Sequence, residues 1–343
     1  MVRQKKMTKI RYNRAMSSRS PSLYRRLLPG LLFGVLVLIG LALIGDLRSV
    51  GQSLGRFDWR VFPLALLLTL FNYTLRFVKW QYYLRLLGVR GLPWRKSLRI
   101  WVCGFPLAVT PAKAGEALKG VWLQQACGLP VGRGISAVVA ERISDGLAVL
   151  ALSTLGVFAY PRYWPAFALI LSILLSLIII SQIRPLALRL LNLGTHLPLI
   201  KRIVPGLREF YEGSFELFRP LPTLLGVGLG TLSWLGEGIG FYFILRGLGE
   251  PGSTALLGIA IFTLSFSTVV GAASALPGGL GAAEASIAGM LTLLHNLTPA
   301  TASAATLLIR LATLWFSVAL GLIAWVLSPA LLGIKESHNG LER

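Results

Sequence analysis

The sequence predicts an all-α protein that crosses a membrane several times. Of its 343 residues, 55% are hydrophobic and only 14% are charged, which is more apolar surface than a soluble core of this size requires. Runs of roughly the 20 apolar residues that a helix needs to cross a bilayer recur along the chain, at 27–45, 61–83, 134–160, 164–183, 221–245, 255–276 and 300–327. They lack the alternation of a membrane-spanning β-barrel, so the spans are predicted to be helices.

Basic residues before the first run predict the orientation. Residues 1–26 hold nine Lys and Arg and no acidic residue, which indicates a cytoplasmic N-terminal arm. We expect residues 27–330 to form a single transmembrane domain in the cell membrane, and residues 331–343 to be a cytoplasmic tail. The net charge of +21 is not accompanied by aromatic or groove-reading patterns, so it favours anionic lipid headgroups over nucleic acid.

Further basic clusters assign the connections between spans. Six Lys and Arg lie between Lys79 and Arg99, and the polar connection Arg184–Arg219 carries six more, so both are assigned to the cytoplasm, with a short external turn at Tyr160–Tyr163. The latter connection is expected to lie partly as an amphipathic helix on the membrane surface. Residues 97–125 then begin and end on the same side and are broken by two prolines, which predicts a re-entrant helical hairpin. A pair of tilted, kinked helices is the alternative.

Two segments of the chain share an order of residues. Each has a proline, a glycine four positions later, an acid, and an arginine 26 residues after the acid. The two sets are Pro111, Gly115, Glu116 and Arg142, and Pro277, Gly281, Glu284 and Arg310. The predicted orientation makes them an inverted-topology repeat, with halves at about 61–183 and 221–327, a second re-entrant hairpin, and the two prolines and two glycines as hinges. Independent kinks used for helix packing are the alternative.

Ionisable residues inside the predicted spans are the candidate binding residues. Such residues are costly in hydrocarbon and usually face a bundle interior or an aqueous cavity. The candidates are Arg76, Glu116, Lys119, Glu141, Arg142, Asp145, Glu237, Glu284 and Arg310. Their near balance of charge indicates mutual pairing. Glu116–Arg142 and Glu284–Arg310 are open to a purely structural interpretation, and Arg76 to snorkelling beside Lys79; Glu237, between two glycines, is expected to face a cavity.

Motifs for soluble enzyme chemistry are missing. No H-E-x-x-H, P-loop or C-x-x-C pattern occurs, and the two cysteines and three histidines are scattered, so no metal, cofactor or redox site is expected. Catalysis is not expected, although an intramembrane lipid transferase built on carboxylates stays open.

Several blocks together resemble one known family. PAKAGEALKGVW (Pro111–Trp122), ERISDG (Glu141–Gly146) and LPGGLGAAE (Leu276–Glu284), followed by Arg310, resemble signature blocks of the lysylphosphatidylglycerol synthase transmembrane (flippase) domain family, and NYTLRFVKWQYYLRLLG resembles its first block. The resemblance implies that, in family members with both a membrane half and a soluble transferase domain, the membrane half flips the aminoacylated phospholipid that the soluble domain makes. No such domain occurs in these 343 residues, so the expectation is a standalone member that handles lipid without lysyl transfer.

The resulting hypothesis is a lipid translocator, in which a phospholipid or polyprenyl-linked headgroup passes through a polar cavity at mid-membrane depth. The expected partners are membrane lipids with an anionic or phosphate-bearing headgroup, and a homo-oligomer is left open. Two alternatives remain: a membrane-embedded enzyme or accessory partner in group transfer to or from a lipid carrier, and a structural scaffold.

Overall fold

The chain is described by a computed structural model that covers residues 23–157, 164–195 and 201–328. Within these ranges all the regular secondary structure is helical, which confirms the all-α class. The α-helices are, in chain order, α1 (Leu23–Ile44), α2 (Leu47–Gly55), α3 (Phe62–Leu86), α4 (Trp94–Cys103), α5 (Leu118–Cys127), α6 (Val131–Val157), α7 (Trp164–Gln182), α8 (Arg184–Thr195), α9 (Val204–Leu217), α10 (Pro220–Gly247), α11 (Thr254–Ala273), α12 (Ala282–His295), α13 (Pro299–Arg310) and α14 (Phe316–Val326). Most of the predicted N-terminal arm, the predicted turn at Tyr160–Tyr163 and the tail at 331–343 lie outside the described residues.

Within the described residues, four stretches of helix are long and apolar enough to cross a membrane: Leu27–Ile44 in α1, all of α10, all of α11, and Pro299–Val326, in which a π-helical stretch joins α13 to α14. Helices α3 and α6 are also long enough, at 25 and 27 residues, but they carry charged residues in their middle. Helix α7 contributes a shorter apolar stretch. As far as the described residues reach, each of the seven apolar runs therefore falls mainly on helix.

Local signals explain where several helices begin. The Ser253 side chain accepts a hydrogen bond from the Leu256 N–H at the start of α11, at 3.0 Å, and Thr298 does the same for Thr301 at the start of α13, at 3.2 Å. Such caps satisfy backbone donors that have no partner within the helix. Pro299 then occupies the first turn of α13, where its missing N–H costs nothing.

Helix α10 lies antiparallel along α3, and glycines bring the two helices close together. A Cβ at Gly226 would collide with the Tyr83 hydroxyl near one end of α3, and a Cβ at Gly236 would lie 2.9 Å from Phe71 Cδ1 further along. This agrees with close helix packing, the usual role of glycines spaced four apart in membrane helices. The packing holds the middle of α10 beside the charged part of α3.

The long polar connection packs on the bundle. Helix α9 lies against the start of α6, where Arg133 contacts Glu216 at 3.1 Å and Glu209 at 3.6 Å. Tyr211 and Ser214 of α9 are buried. One face of α9 is therefore covered by protein.

Two irregular segments interrupt the helices. After α4, one 3-10 turn covers Phe105–Val109 and another covers Pro111–Ala117, in which Ala112 and Lys113 adopt left-handed backbone angles with φ of 50° and 56°. The Trp325 Nε1–H of α14 donates to the Cys103 carbonyl at 2.7 Å, and so satisfies a backbone acceptor where α4 ends.

The second irregular segment lies between α11 and α12. A short 3-10 turn covers Pro277–Gly279, and Gly278, Gly279 and Gly281 all have positive φ. Glycine is required at position 279, because φ is 68° and a Cβ there would lie 2.9 Å from Gly271 Cα. As in the first segment, left-handed residues directly follow the proline.

The two irregular segments touch each other. The Ala112 N–H donates to the Ala275 carbonyl at 3.0 Å. Val109 also lies beside Gly278, since a Cβ added at Gly278 would be 3.5 Å from Val109 Cγ1. Non-helical backbone needs such partners when it lies among membrane helices. The meeting point of the segments defines where the charged side chains collect.

Candidate functional site

Helices α3 and α6 supply the first group of charges. One Arg76 Nη contacts Glu141 Oε1 at 2.8 Å, and Arg76 Nε lies 3.3 Å from Asp145 Oδ2. Lys79 Nζ binds Asp145 Oδ1 and the Ser144 hydroxyl. Because Glu141 and Asp145 are four residues apart, they share one face of α6 and both meet α3.

The structure corrects the assignment of Lys79 to the cytoplasmic surface. Its side chain is fully buried, and it lies one turn beyond Arg76 on the α3 face that packs against α6, where Asp145 compensates its charge. Arg76 is paired in the same way, which removes the snorkelling alternative. The remaining basic residues of that cluster are exposed, namely Arg85, Arg90, Arg95, Lys96 and Arg99.

The first irregular segment adds Glu116, and the start of α5 adds Lys119. Lys119 Nζ lies 3.1 Å from Glu116 Oε2 and 3.9 Å from Glu141 Oε2, and 5.7 Å from the centre of the Trp80 ring. Gly104 makes room for it, because a Cβ there would collide with the Lys119 side chain. The end of α4 thus determines where this ammonium group lies.

Arg142 connects the irregular segment to α6. One Nη contacts Glu141 Oε1 at 2.9 Å and lies 3.7 Å from Asp145, while Nε lies 3.8 Å from Glu116 Oε2. The expected Glu116–Arg142 ion pair is therefore present, but it is long, and Glu116 has Lys119 as its nearer partner.

Beside the second irregular segment, Glu284 in α12 and Arg310 at the end of α13 form a tighter pair. Arg310 Nε binds Glu284 Oε1 at 2.6 Å, and an Arg310 Nη donates to the Gly278 carbonyl at 3.1 Å. Glu284 Oε2 accepts the Gly281 N–H at 2.7 Å and so caps α12. This pair holds the turn at Pro277 in its shape.

A cavity of about 130 Å³ lies between the two irregular segments, large enough for several water molecules. Six of the nine candidate residues line it, and Glu141, Asp145 and Glu284 bind those lining residues from behind. The lining candidates are Arg76, Glu116, Lys119, Arg142, Glu237 and Arg310. Of the proposed hinges, Pro111 and Gly115 lie in the first irregular segment; Pro277 and Gly281 lie in the second.

Glu237 reaches this cavity from the middle of α10. Its residue is 5% exposed, and among the described residues it makes no direct ion pair or hydrogen bond. Gly238 next to it packs tightly on Ile261 of α11, where a Cβ would lie 2.9 Å from the isoleucine Cγ1. Close helix packing on both sides thus leaves the carboxylate facing the cavity.

Lys113 and Tyr73 line the cavity but were not predicted. Lys113 belongs to the same short stretch as Glu116 and Lys119, and its ammonium group makes no ion pair within the described ranges. The Tyr73 hydroxyl donates to the Thr313 carbonyl at 2.9 Å, within the π-helical stretch Leu311–Trp315 that directly follows Arg310. Such stretches are frequent at functional sites. The lysine-rich composition of 111–120 was the available signal for Lys113.

Positive charge is in excess around the cavity. In the first half, Arg76, Lys79, Lys119 and Arg142 face three carboxylates, and Lys113 adds another cation. Arg310 is balanced by Glu284, and Glu237 adds one further carboxylate. Several contacts are longer than hydrogen bonds, such as those of Arg142 Nε and Glu141 Oε2, so the group can make further hydrogen bonds with an anionic ligand. Among the described residues, no group of three His, Cys, Asp or Glu is arranged to hold a metal ion.

Comparison with known proteins gives two matches. Residues 30–321 match the family described as Lysylphosphatidylglycerol synthase TM region. The chain is also similar to a UPF0104 membrane protein of Methanothermobacter thermautotrophicus, with 28% identity over 319 residues that cover 85% of this chain and 91% of the relative.

Proposed function

Because the chain belongs to the lysylphosphatidylglycerol synthase transmembrane family, we propose that it moves lipid headgroups across the membrane. The headgroup, of a phospholipid or a polyprenyl-linked lipid, passes through the cavity between the two irregular segments. The observation that supports this most strongly is a set of buried, incompletely hydrogen-bonded charges around a cavity where two broken helices meet.

The excess of positive charge favours a phosphate-bearing headgroup. Arg142, Arg310 and Arg76 bind the phosphate, since a planar guanidinium can donate two hydrogen bonds to it. Glu237 and Glu116 balance these arginines while the cavity is empty, or bind a cationic part of the headgroup. The ligand thereby replaces contacts that are already long, which keeps the cost of opening the cluster low.

The breaks at Pro111 and Pro277 allow the two sides of the cavity to open in turn. Each proline is followed by left-handed residues, and the two turns share one backbone hydrogen bond. In this proposal the segments are re-entrant hairpins of an inverted repeat, and both chain termini are cytoplasmic. Ion pairs then exchange partners as the cavity changes from one side to the other.

Reconstitution into liposomes tests the proposal. Phosphatidylglycerol with a fluorescent headgroup is incorporated, and an impermeant reductant reports how fast inner headgroups reach the outer leaflet. We expect Arg142→Ala and Arg310→Ala to slow this movement roughly tenfold to a hundredfold, since a hydrogen bond to a charged group contributes about 1.5–3 kcal/mol.

Arg133→Ala is the matched control. Arg133 lies on α6 like Arg142 and also pairs with carboxylates, but it does not line the cavity, so its rate should equal that of the native chain. Arg142→Lys retains the positive charge and replaces Arg142→Ala in the assay if the alanine variant is unstable. Unchanged movement in folded Arg142→Ala and Arg310→Ala would refute the proposal. Chemical conversion of a labelled lipid without movement would favour the membrane-enzyme alternative.

A further inference from the structure

A second cavity lies away from the charged cluster, on the outside of the bundle. It has a volume of about 870 Å³ and runs between the end of α3, the loop before α4 and the start of α10; we name it the α3–α10 groove. Its lining includes Val78, Arg85, Arg90, Trp94, Leu225 and Leu229. At 1.5 Å per residue, Arg85 lies about 13 Å beyond Arg76 along α3, so the groove is separate from the central cavity.

One wall of the groove is apolar and uncovered. Val78 is 48% exposed and Leu225 is 45% exposed. Both belong to long helices of the membrane domain, and exposed aliphatic side chains on such helices contact acyl chains. The apolar wall of the groove can therefore bind a hydrocarbon chain.

The other end of the groove is cationic. Arg85 and Arg90 are exposed, and neither has an ion pair or a side-chain hydrogen bond in the described part of the chain. No Asp or Glu lines the groove. The two guanidinium groups are free to bind an anion, and phosphate is the group that such a pair recognises best.

Trp94 marks the depth of this cationic end. Trp94 is 58% exposed, and the Arg95 guanidinium lies 5.5 Å from its ring. Exposed tryptophans are enriched at the level of lipid headgroups. The groove thus extends from hydrocarbon depth to headgroup depth. Its apolar part matches the acyl chains of a phospholipid, and its cationic part matches the phosphate.

We propose that the α3–α10 groove binds one anionic phospholipid, with its phosphate on Arg85 and Arg90 and an acyl chain along Val78 and Leu225. Charge complementarity identifies the occupant, since a free anion would leave the apolar wall unused. This site does not depend on lipid translocation, and a chain that moves no lipid would still bind there.

Quenching of Trp94 fluorescence tests the site. The full chain is purified in detergent and titrated with phosphatidylglycerol or phosphatidylcholine carrying brominated acyl chains. The quenching of a Trp94→Phe variant, which retains the other eight of the nine tryptophans, is subtracted to isolate the contribution of Trp94. We expect preference for phosphatidylglycerol. In Arg85→Gln/Arg90→Gln this preference should fall about 25-fold, roughly fivefold for each arginine.

Lys96→Gln/Arg99→Gln is the matched control, because it removes the same charge from exposed positions nearby that do not line the groove. It should leave the preference within about twofold of the native value. Equal losses in both double variants would overturn the proposal, because they indicate diffuse attraction of lipid to a basic surface. An absent preference in the native chain, or displacement of the lipid by inorganic phosphate alone, would overturn it as well.

Discussion

The Glu284–Arg310 pair allows a quantitative test of how the second irregular segment is held. Glu284 is almost fully buried, and its two oxygens accept from Arg310 and from the Gly281 N–H. Glu284→Gln keeps the shape of the side chain and can still accept from Gly281, but it removes the charge that compensates Arg310. The change therefore isolates the ion pair from the helix cap.

The expected magnitude follows from the burial of both partners. Removing one partner of a buried pair costs about 3–5 kcal/mol, because the other charge is left uncompensated. Arg310 is 13% exposed and lines the cavity, so water reduces the cost, and we expect about 3 kcal/mol. Arg310→Gln should cost a similar amount, whereas the double variant should cost at least about 2 kcal/mol less than the sum of the two.

Unfolding of the purified chain in lipid nanodiscs, measured for all four variants of the cycle, gives the coupling free energy. Arg184→Gln and Glu212→Gln form the matched control cycle, because their contact is 3.3 Å long but more exposed, at 53% and 26%. That coupling should be below about 1 kcal/mol. Additive effects of Glu284→Gln and Arg310→Gln, within about 0.5 kcal/mol, would refute the reasoning.

Three further substitutions test individual contacts by thermal unfolding. Gly104→Ala forces the Lys119 side chain to move and should cost about 1–3 kcal/mol; a stability equal to that of the native chain would show that the lysine has room. Ala112→Gly removes the strain of a left-handed alanine and should stabilise the chain by up to about 1 kcal/mol. A stability equal to that of the native chain would show that the backbone of Ala112 is not strained. Trp325→Phe loses the hydrogen bond to the Cys103 carbonyl and should cost about 1–3 kcal/mol. A cost below about 0.5 kcal/mol would mean that water replaces the lost hydrogen bond.

Much of the architecture could be predicted from periodicity and composition. Apolar runs, prolines and glycines indicated the helices and both interruptions, because hydrocarbon leaves few ways to satisfy the backbone. The order of residues also anticipated that Glu284 meets Arg310. A repeated spacing between an acid and an arginine is informative because an unpaired charge is costly in the membrane.

Charged residues near helix ends were harder to interpret. Lys79 belongs by sequence to a cluster of surface cations, and only the rotation of α3 against α6 shows that it points inward to Asp145. Lys113 was missed because its position in the cavity depends on left-handed backbone angles that lysine rarely adopts. Sequence spacing carries no information on either, since both depend on how separate segments dock.

The hydrogen bond from Trp325 to the Cys103 carbonyl also constrains biosynthesis. The two residues are 222 positions apart, and at about 5–20 residues per second a ribosome needs roughly 10–45 s to make the intervening chain. During that interval the nascent N-terminal part has to stay in the translocation machinery or the bilayer with the end of α4 unsealed. Insertion factors and quality-control proteases therefore have a defined period in which to recognise the unfinished chain.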